Sequence, residues 1–254
     1  MSCLHKTAHL YEVDMKLKIM TFNIQHGRNH NFKGDVIDLP AMAQNVREQN
    51  PDICGFNEVR NGTEKDHSTG RSDQAQFFQN ELGGNAKFGK AIDIQGYEYG
   101  NAIWSKHPFV NVEVIPIPEF TDEVGGYYEN RCVIKSEYDF DGKKLTVLNS
   151  HFGLGKGEWD NAVATVLALA EKLEGPLVLM GDFNMTPDNP LIQKLATVFT
   201  DSHAFVGKDV TTFPSHAPDI RIDYIFVRDA RVIDADTVCK VVSDHFAITA
   251  EIEI

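Results

Sequence analysis

The segment from Ala102 to Ser150 carries short strand-like runs one after another: Ala102 to Trp104, Val112 to Ile115, Arg131 to Ser136 and Leu145 to Ser150, separated by turns. Parallel strands need long, usually helical, crossovers, so strands this closely spaced exceed what a simple doubly wound sheet holds. On either side of the segment, strands and helices alternate. Two sheets packed face to face, with helices outside, accommodate both patterns.

Lys18 to Asn23 reads as a strand, and Leu39, Met42, Ala43 and Val46 recur at helical spacing behind Asp38, a good N-cap. Asp52 to Phe56 is a strand ending at Asn57-Glu58, and Asp73 to Leu82 a helix capped by Ser72. The longest helix is expected from Trp159 to Leu173. Its apolar stripe is Trp159, Val163, Val166, Leu167, Ala170 and Leu173, and Gly175-Pro176 stops it. Strands return at Leu177 to Met180, Ile222 to Val227 and Phe246 to Ile254. A chain of 254 residues, 42% hydrophobic, without a low-complexity linker or repeat, has material for one large core. Residues 15 to 254 are therefore expected to form one domain, with residues 1 to 14 a flexible N-terminal extension.

No apolar stretch approaches the roughly 20 residues that cross a bilayer, and Met1 to Met20 lacks an apolar signal core. The expectation is a soluble, cytoplasmic protein, and a monomer. Cys3, Cys54, Cys132 and Cys239 have no C-x-x-C spacing, which fits buried free thiols in a reducing compartment. The net charge of -13 opposes attraction to nucleic-acid phosphates and disfavours long DNA or RNA as a partner.

The polar residues fall at strand ends. In Met180-Gly181-Asp182-Phe183-Asn184 an Asp and an Asn stand two apart, so in extended chain they point to one side, a carboxylate beside an amide. Asn23 and Glu58 end the first two strands, His151 follows Leu145 to Ser150, and Asp223 lies in Arg221-Ile222-Asp223-Tyr224. Ser243-Asp244-His245 precedes the last strand. A single strand-end Asn or Asp is more often a turn former than a ligand. It is the co-occurrence of several at strand ends that points to one shared rim.

In order, the chain carries T-F-N-I-Q-H at 21 to 26, F-N-E-V at 56 to 59, Y-G-N-A-I-W-S-K at 99 to 106 and N-S-H-F at 149 to 152. G-D-F-N at 181 to 184, R-I-D-Y-I-F at 221 to 226 and S-D-H-F at 243 to 246 complete the series. This set resembles the endonuclease/exonuclease/phosphatase superfamily of metal-dependent phosphoesterases, and most of all a group of small bacterial metal-dependent hydrolases. The resemblance implies an α+β fold, a four-layer α/β/β/α sandwich of two packed mixed β-sheets flanked by helices.

The chemistry then assigns roles. A divalent cation eases attack on a phosphoester by neutralising its oxygens and the leaving group, and it needs hard oxygen ligands. Glu58 is the candidate anchor for Mg²⁺, with Asn23 and Asp244 beside it, and Mn²⁺ accepts the same ligands. Asp182 is expected to deprotonate the attacking water and Asn184 to donate to the developing charge. The resemblance implies that His245, oriented by Asp223, and His151 contact the phosphate from two sides. Arg131, Tyr99 and Asn101 are candidates for phosphate contact, and the polar loops from Arg60 to Arg71 and Glu119 to Asn130 add His67, Arg71 and Tyr127 as specificity residues.

Two departures from the nuclease pattern are Gln25, where an Asp is common, and Asn57, where a Gln is. With the acidic charge they favour a single-metal phosphodiesterase or phosphatase acting on a small-molecule, sugar-phosphate or lipid-headgroup substrate. The alternatives are an endo- or exonuclease and a catalytically silent binding protein on the same fold. The silent protein is disfavoured because Glu58, Asp182, Asn184, Asp244 and His245 are all present, and a zinc hydrolase because no H-x-x-x-H or H-x-x-E-H spacing occurs.

Overall fold

A computed structural model of the chain describes residues 14–94, 96–121 and 128–254. The remaining residues, including most of the N-terminal extension and Tyr127, lie outside the described residues. In chain order the elements are β1 (Lys16–Asn23), α1 (Leu39–Gln49), β2 (Ile53–Asn61), α2 (Gln74–Leu82), β3 (Asn85–Ile94), β4 (Tyr97–Ser105), β5 (Asn111–Pro116) and β6 (Cys132–Phe140). There follow β7 (Lys143–Ser150), α3 (Lys156–Lys172), β8 (Leu177–Asp182), α4 (Pro190–Leu195), β9 (Thr200–Asp201), α5 (Ser202–Phe205), β10 (Asp223–Arg228), β11 (Arg231–Val238) and β12 (Ala247–Glu253).

Among the described residues the strands form two six-stranded mixed sheets, ordered β11-β12-β1-β2-β4-β3 and β5-β6-β7-β8-β10-β9. The fold is the four-layer α/β/β/α sandwich. Period-2 alternation builds its three cores. Leu17 and Ile19 of β1, Val178 and Met180 of β8, and Ile225 and Val227 of β10 join Ile248 and Ala250 of β12 between the sheets. Met20 and Phe22 face the other way, onto α1 and α2. Leu177, Leu179, Tyr224 and Phe226 face α3 and α4.

The same alternation sets the functional rim. Following the inward row upward, Asn23 succeeds Leu17 and Ile19, Asp182 succeeds Val178 and Met180, and Asp223 stands two residues before Ile225. Parallel pairing sets Asn23 opposite Asn57. Antiparallel pairing sets Asp223 opposite Asp182. The strands that run upward therefore end, and β10 begins, at one edge.

The structure corrects several expectations. The second strand does not stop at Asn57-Glu58. It continues to Asn61 through a bulge in which Asn57 and Glu58 stand opposite the single residue Asn101. The cap of α2 is Asp73, which accepts from Gln76 N–H, while Ser72 Oγ is 2.7 Å from His67 Nδ1. The strands β3 and β11 went unread because they are sheet edges rich in charge, Lys87, Lys90 and Asp93 in one and Arg231, Asp234 and Asp236 in the other, as edges that resist aggregation are. Cys54 and Cys132 are buried free thiols as expected, but Cys239 is exposed.

Because Ile248 is fully buried between the sheets, Ile248→Ala should destabilise the protein by about 2–5 kcal/mol. Urea unfolding followed by circular dichroism measures this, and a change under 1 kcal/mol would contradict an inter-sheet core as tight as described.

Candidate active site

On the face of β2 parity alone, Glu58 would point outward with Phe56. The bulge and a left-handed backbone, φ 58°, turn it inward instead. Asn57 keeps the inward direction and spans the layers: its Oδ1 accepts from Asp182 N–H at 3.0 Å, and its Nδ2 donates to Asn101 Oδ1 at 2.9 Å. Asn101 is 2% exposed and donates onward to the Cys132 carbonyl. It supports the rim from beneath and does not line the pocket.

Asp182 is the hub. Its Oδ1 accepts from Asn184 N–H at 2.9 Å, and its Oδ2 accepts from Asn23 Nδ2 at 3.0 Å. The Nε2 atoms of His151 and His245 both lie 3.6 Å from Oδ2. Gly181, at φ 141°, permits this close junction, since a Cβ there would sit 1.8 Å from the Ser150 carbonyl. Stacked rings anchor the loops behind it, Phe152 on Phe183 at 4.3 Å and Phe183 on Tyr224 at 5.4 Å. Burial raises the Asp182 carboxyl well above the ordinary carboxylate range, with the His245 charge acting against it and Asp223 with it.

His245 stands between two carboxylates, with Nδ1 2.9 Å from Asp223 Oδ2. Burial disfavours its charged form, but Asp223 and Asp182 outweigh that and hold the ring up to about 10, so it is an imidazolium. His151 is the opposite case. Burial, Arg131 and His245 push it well below the usual imidazole range, and the ring is neutral. Its Nδ1 lies 3.0 Å from Arg131 Nη1 and its Nε2 lies 3.1 Å from Asn184 Nδ2. A neutral ring accepts at one nitrogen only, so it can satisfy only one of these two donors. Arg131 Nη2 pairs with Glu129 at 2.8 Å.

These residues line one pocket of about 500 Å³. Glu58, Tyr99, Arg131, His151, Asp182, Asn184, Asp244 and His245 are all on its wall. Asn23 and Asp223 stand directly behind it through their bonds to Asp182 and His245. His67 and Arg71 are not brought there: His67 packs edge-on against Phe77, and Arg71 pairs with Glu64. Arg221 does not pair with Asp223 but makes a two-pronged bond to Asp201, leaving Asp223 to His245. Leu154, Phe213 and Ile220, from loops with no periodic signal, and Ile222, just ahead of β10, form an apolar wall that strand-end reasoning missed.

Two acidic groupings test the fit to a cation. Asp182, Asp223 and His245 have ligand atoms within 4.8 Å of one another, but the imidazolium already supplies the positive charge there. Glu58 and Asp244 form no ion pair among the described residues, and the His245 charge acts on both only as a lesser influence. Burial raises the Glu58 carboxyl, the Asn23 hydrogen bond opposes this, and the Asp244 charge raises it further. Two hard oxygen donors repelling across a pocket suit Mg²⁺, which takes one or two protein carboxylates and keeps several waters. Asn23 turns its NH₂ to Glu58 and Asp182 and its oxygen to Gln25 N–H.

A model of the Endonuclease/Exonuclease/phosphatase family matches residues 20–245, and the chain belongs to that family, whose members are hydrolases acting on phosphoesters. It is 28% identical to the uncharacterised YbhP protein of Escherichia coli K12, over 93% of this chain and 96% of that protein. Its fold is similar to that of an endonuclease/exonuclease/phosphatase from Beutenbergia cavernae, with a TM-score of 0.76 and 23% identity over 94% of this chain and 72% of the other. The mannosyl-6-phosphatase of Bacteroides thetaiotaomicron is also similar, with a TM-score of 0.71 and 20% identity over 93% and 99% of the two chains.

Because Asp201 neutralises a buried Arg221 just ahead of β10, Asp201→Ala should cost about 3–5 kcal/mol of stability. Thermal and urea unfolding provide the check. A near-neutral result would mean that Arg221 is solvated or re-paired.

Proposed function

We propose that the chain is a Mg²⁺-dependent phosphoester hydrolase, with Mn²⁺ an acceptable substitute, acting on a small phosphorylated substrate. The observation that carries this reading is the convergence on one pocket wall of cationic and N–H groups, His245, Asn184 Nδ2 and Arg131, beside the carboxylates of Glu58, Asp182 and Asp244. A tetrahedral anion with several oxygens is the acceptor such a cluster suits.

In this reading Glu58 and Asp244 hold the cation, while Asn23, expected as a ligand, turns its NH₂ to Glu58 and its oxygen to Gln25 N–H and so orients Glu58 from behind the pocket. A divalent cation there supplies neutralisation of the phosphate oxygens and the leaving oxygen. Asp182, raised in basicity by burial and pinned through both oxygens, takes the proton of the attacking water. Asn184 cannot turn away, since Nδ2 also donates to the Phe152 carbonyl at 3.0 Å, and it donates to the charge that develops on phosphorus oxygens. Asp223 keeps His245 charged and oriented, so Nε2–H is directed at the anion. Arg131 exchanges Glu129 for a phosphate oxygen. Tyr99, hydrogen-bonded to Glu58, fixes that carboxylate on the pocket wall.

The pocket's size and the net charge of -13 favour a small substrate over long nucleic acid. A fold neighbour named as a mannosyl-6-phosphatase fits that class. Sugar phosphates and lipid headgroups are the substrate classes we favour, the organic part resting on Leu154, Phe213, Ile220 and Ile222. No helix among the described residues is long and apolar enough to cross a membrane. Buried free Cys54 and Cys132 suit a reducing compartment, and the proposal includes a cytoplasmic location and a monomer.

The test is hydrolysis of bis-p-nitrophenyl phosphate with and without Mg²⁺, followed by sugar, lipid-headgroup and nucleotide phosphates. Asp182→Asn and His245→Ala should each lower turnover by about 10²–10⁴-fold while the circular dichroism spectrum is unchanged. Full activity in either variant, or activity indifferent to EDTA, overturns the proposal.

A further inference from the structure

We propose that Gln25 and His30 are positioning residues that aim the Asp244 carboxylate at the cation, acting as a two-step hydrogen-bond chain. The inference rests on the cation site described above. Gln25 follows β1 in a left-handed backbone, φ 42°, and His26 repeats it at φ 48°, a conformation non-glycine residues seldom adopt. The turn is held from outside: His26 O accepts from Gln74 Nε2 at 2.7 Å, and Gly27 O accepts from Asp38 N–H at 2.8 Å. It carries the Gln25 side chain across to the loop ahead of β12.

There Gln25 Nε2 donates to Asp244 Oδ2 at 2.7 Å, and Gln25 Oε1 lies 2.5 Å from His30 Nε2. An amide turned by 180° would set its oxygen against the carboxylate. The carboxylate therefore holds the amide with its NH₂ inward and its oxygen toward His30, whose facing Nε2 then donates to Oε1. Ser243 Oγ donates to Asp244 Oδ1 at 3.1 Å, and Ser215 N–H donates to the Asp244 carbonyl at 2.6 Å. Three segments thus fix the position and rotation of one carboxylate. Gln25 also gives its backbone N–H to Asn23 Oδ1 at 3.0 Å, so one residue orients both Asp244 and the amide that donates to Glu58. A carboxylate at position 25 would oppose the Asp244 carboxylate instead of donating to it. The amide found there is a donor, and it leaves the charge of the Glu58 and Asp244 pair unaltered.

Outer partners of metal ligands are commonly worth about 10–100-fold in metal affinity. Direct Mn²⁺ titration by electron paramagnetic resonance reads that affinity without substrate, with circular dichroism checking each fold. Gln25→Ala and Gln25→Glu should each weaken Mn²⁺ binding by about tenfold or more. His30→Ala should weaken it in the same direction, His30→Gln should restore most of the loss, and the double variant Q25A/H30A should bind no worse than Q25A, because both residues act through one amide. Binding within about twofold of wild type in Gln25→Ala, or tighter binding in Gln25→Glu, overturns the proposal. Glu58→Gln separates the two levels: if it leaves Mn²⁺ binding intact, the cation site itself is wrong. If it abolishes binding while Q25A and H30A do not, only the positioning chain falls.

Discussion

The hydrogen bond from Asn23 Nδ2 to Asp182 Oδ2, 3.0 Å long and buried, joins the two sheets at their upper edge. Asn23 belongs to one sheet and Asp182 to the other, so the bond exists only while the sheets hold one separation and one angle. Below it the inter-sheet core of Ile19, Met180, Ile225 and Ile248 sets that separation by close packing. Beside it Asn57 reaches from the first sheet to Asp182 N–H, and Asn149 donates from the second to the carbonyls of Phe56 and Ala102. Unpaired buried amides are costly, so a displacement of one sheet against the other would break several such bonds at once.

This arrangement explains what was legible in the sequence. Asn23, Asp182 and Asp223 continue inward-facing apolar rows, so strand periodicity alone brings them to a shared edge. Their neighbours Phe22, Phe183 and Tyr224 are core residues of the outer layers. Glu58 was named from the motif around it, but its place inside a strand was not legible, because a bulge reverses the side that alternation gives. The pairing of Arg221 with Asp201 depends on a contact 20 residues apart, which local sequence does not encode. His67 and Arg71 show the limit of reading loops from composition. Polar, glycine-bearing segments mark surface, and only the fold says which surface.

Charge is divided across the site with little redundancy. Two carboxylates favour the charged form of the buried His245, while burial, Arg131 and His245 favour the neutral form of His151. Two imidazoles on either side of one aspartate therefore differ in charge because of their neighbours alone. Glu58 and Asp244 bring negative charge to the lining of the same pocket as His245 and Arg131, so both signs meet on one wall.

The pairing of β10 with β8, with Asp223 opposite Asp182 and Ile225 opposite Met180, ties two kinds of selection together. A slip of one residue would carry Asp223 to the helix side and drive Tyr224 and Phe226 between the sheets. A sequence change that weakens this register cannot leave the chemistry intact while loosening the core, nor the reverse. Drift in strand β10 is thereby confined to exchanges that satisfy both demands, and the diversity such a scaffold can accumulate is directed into the loops that carry Leu154, Phe213 and Ile220.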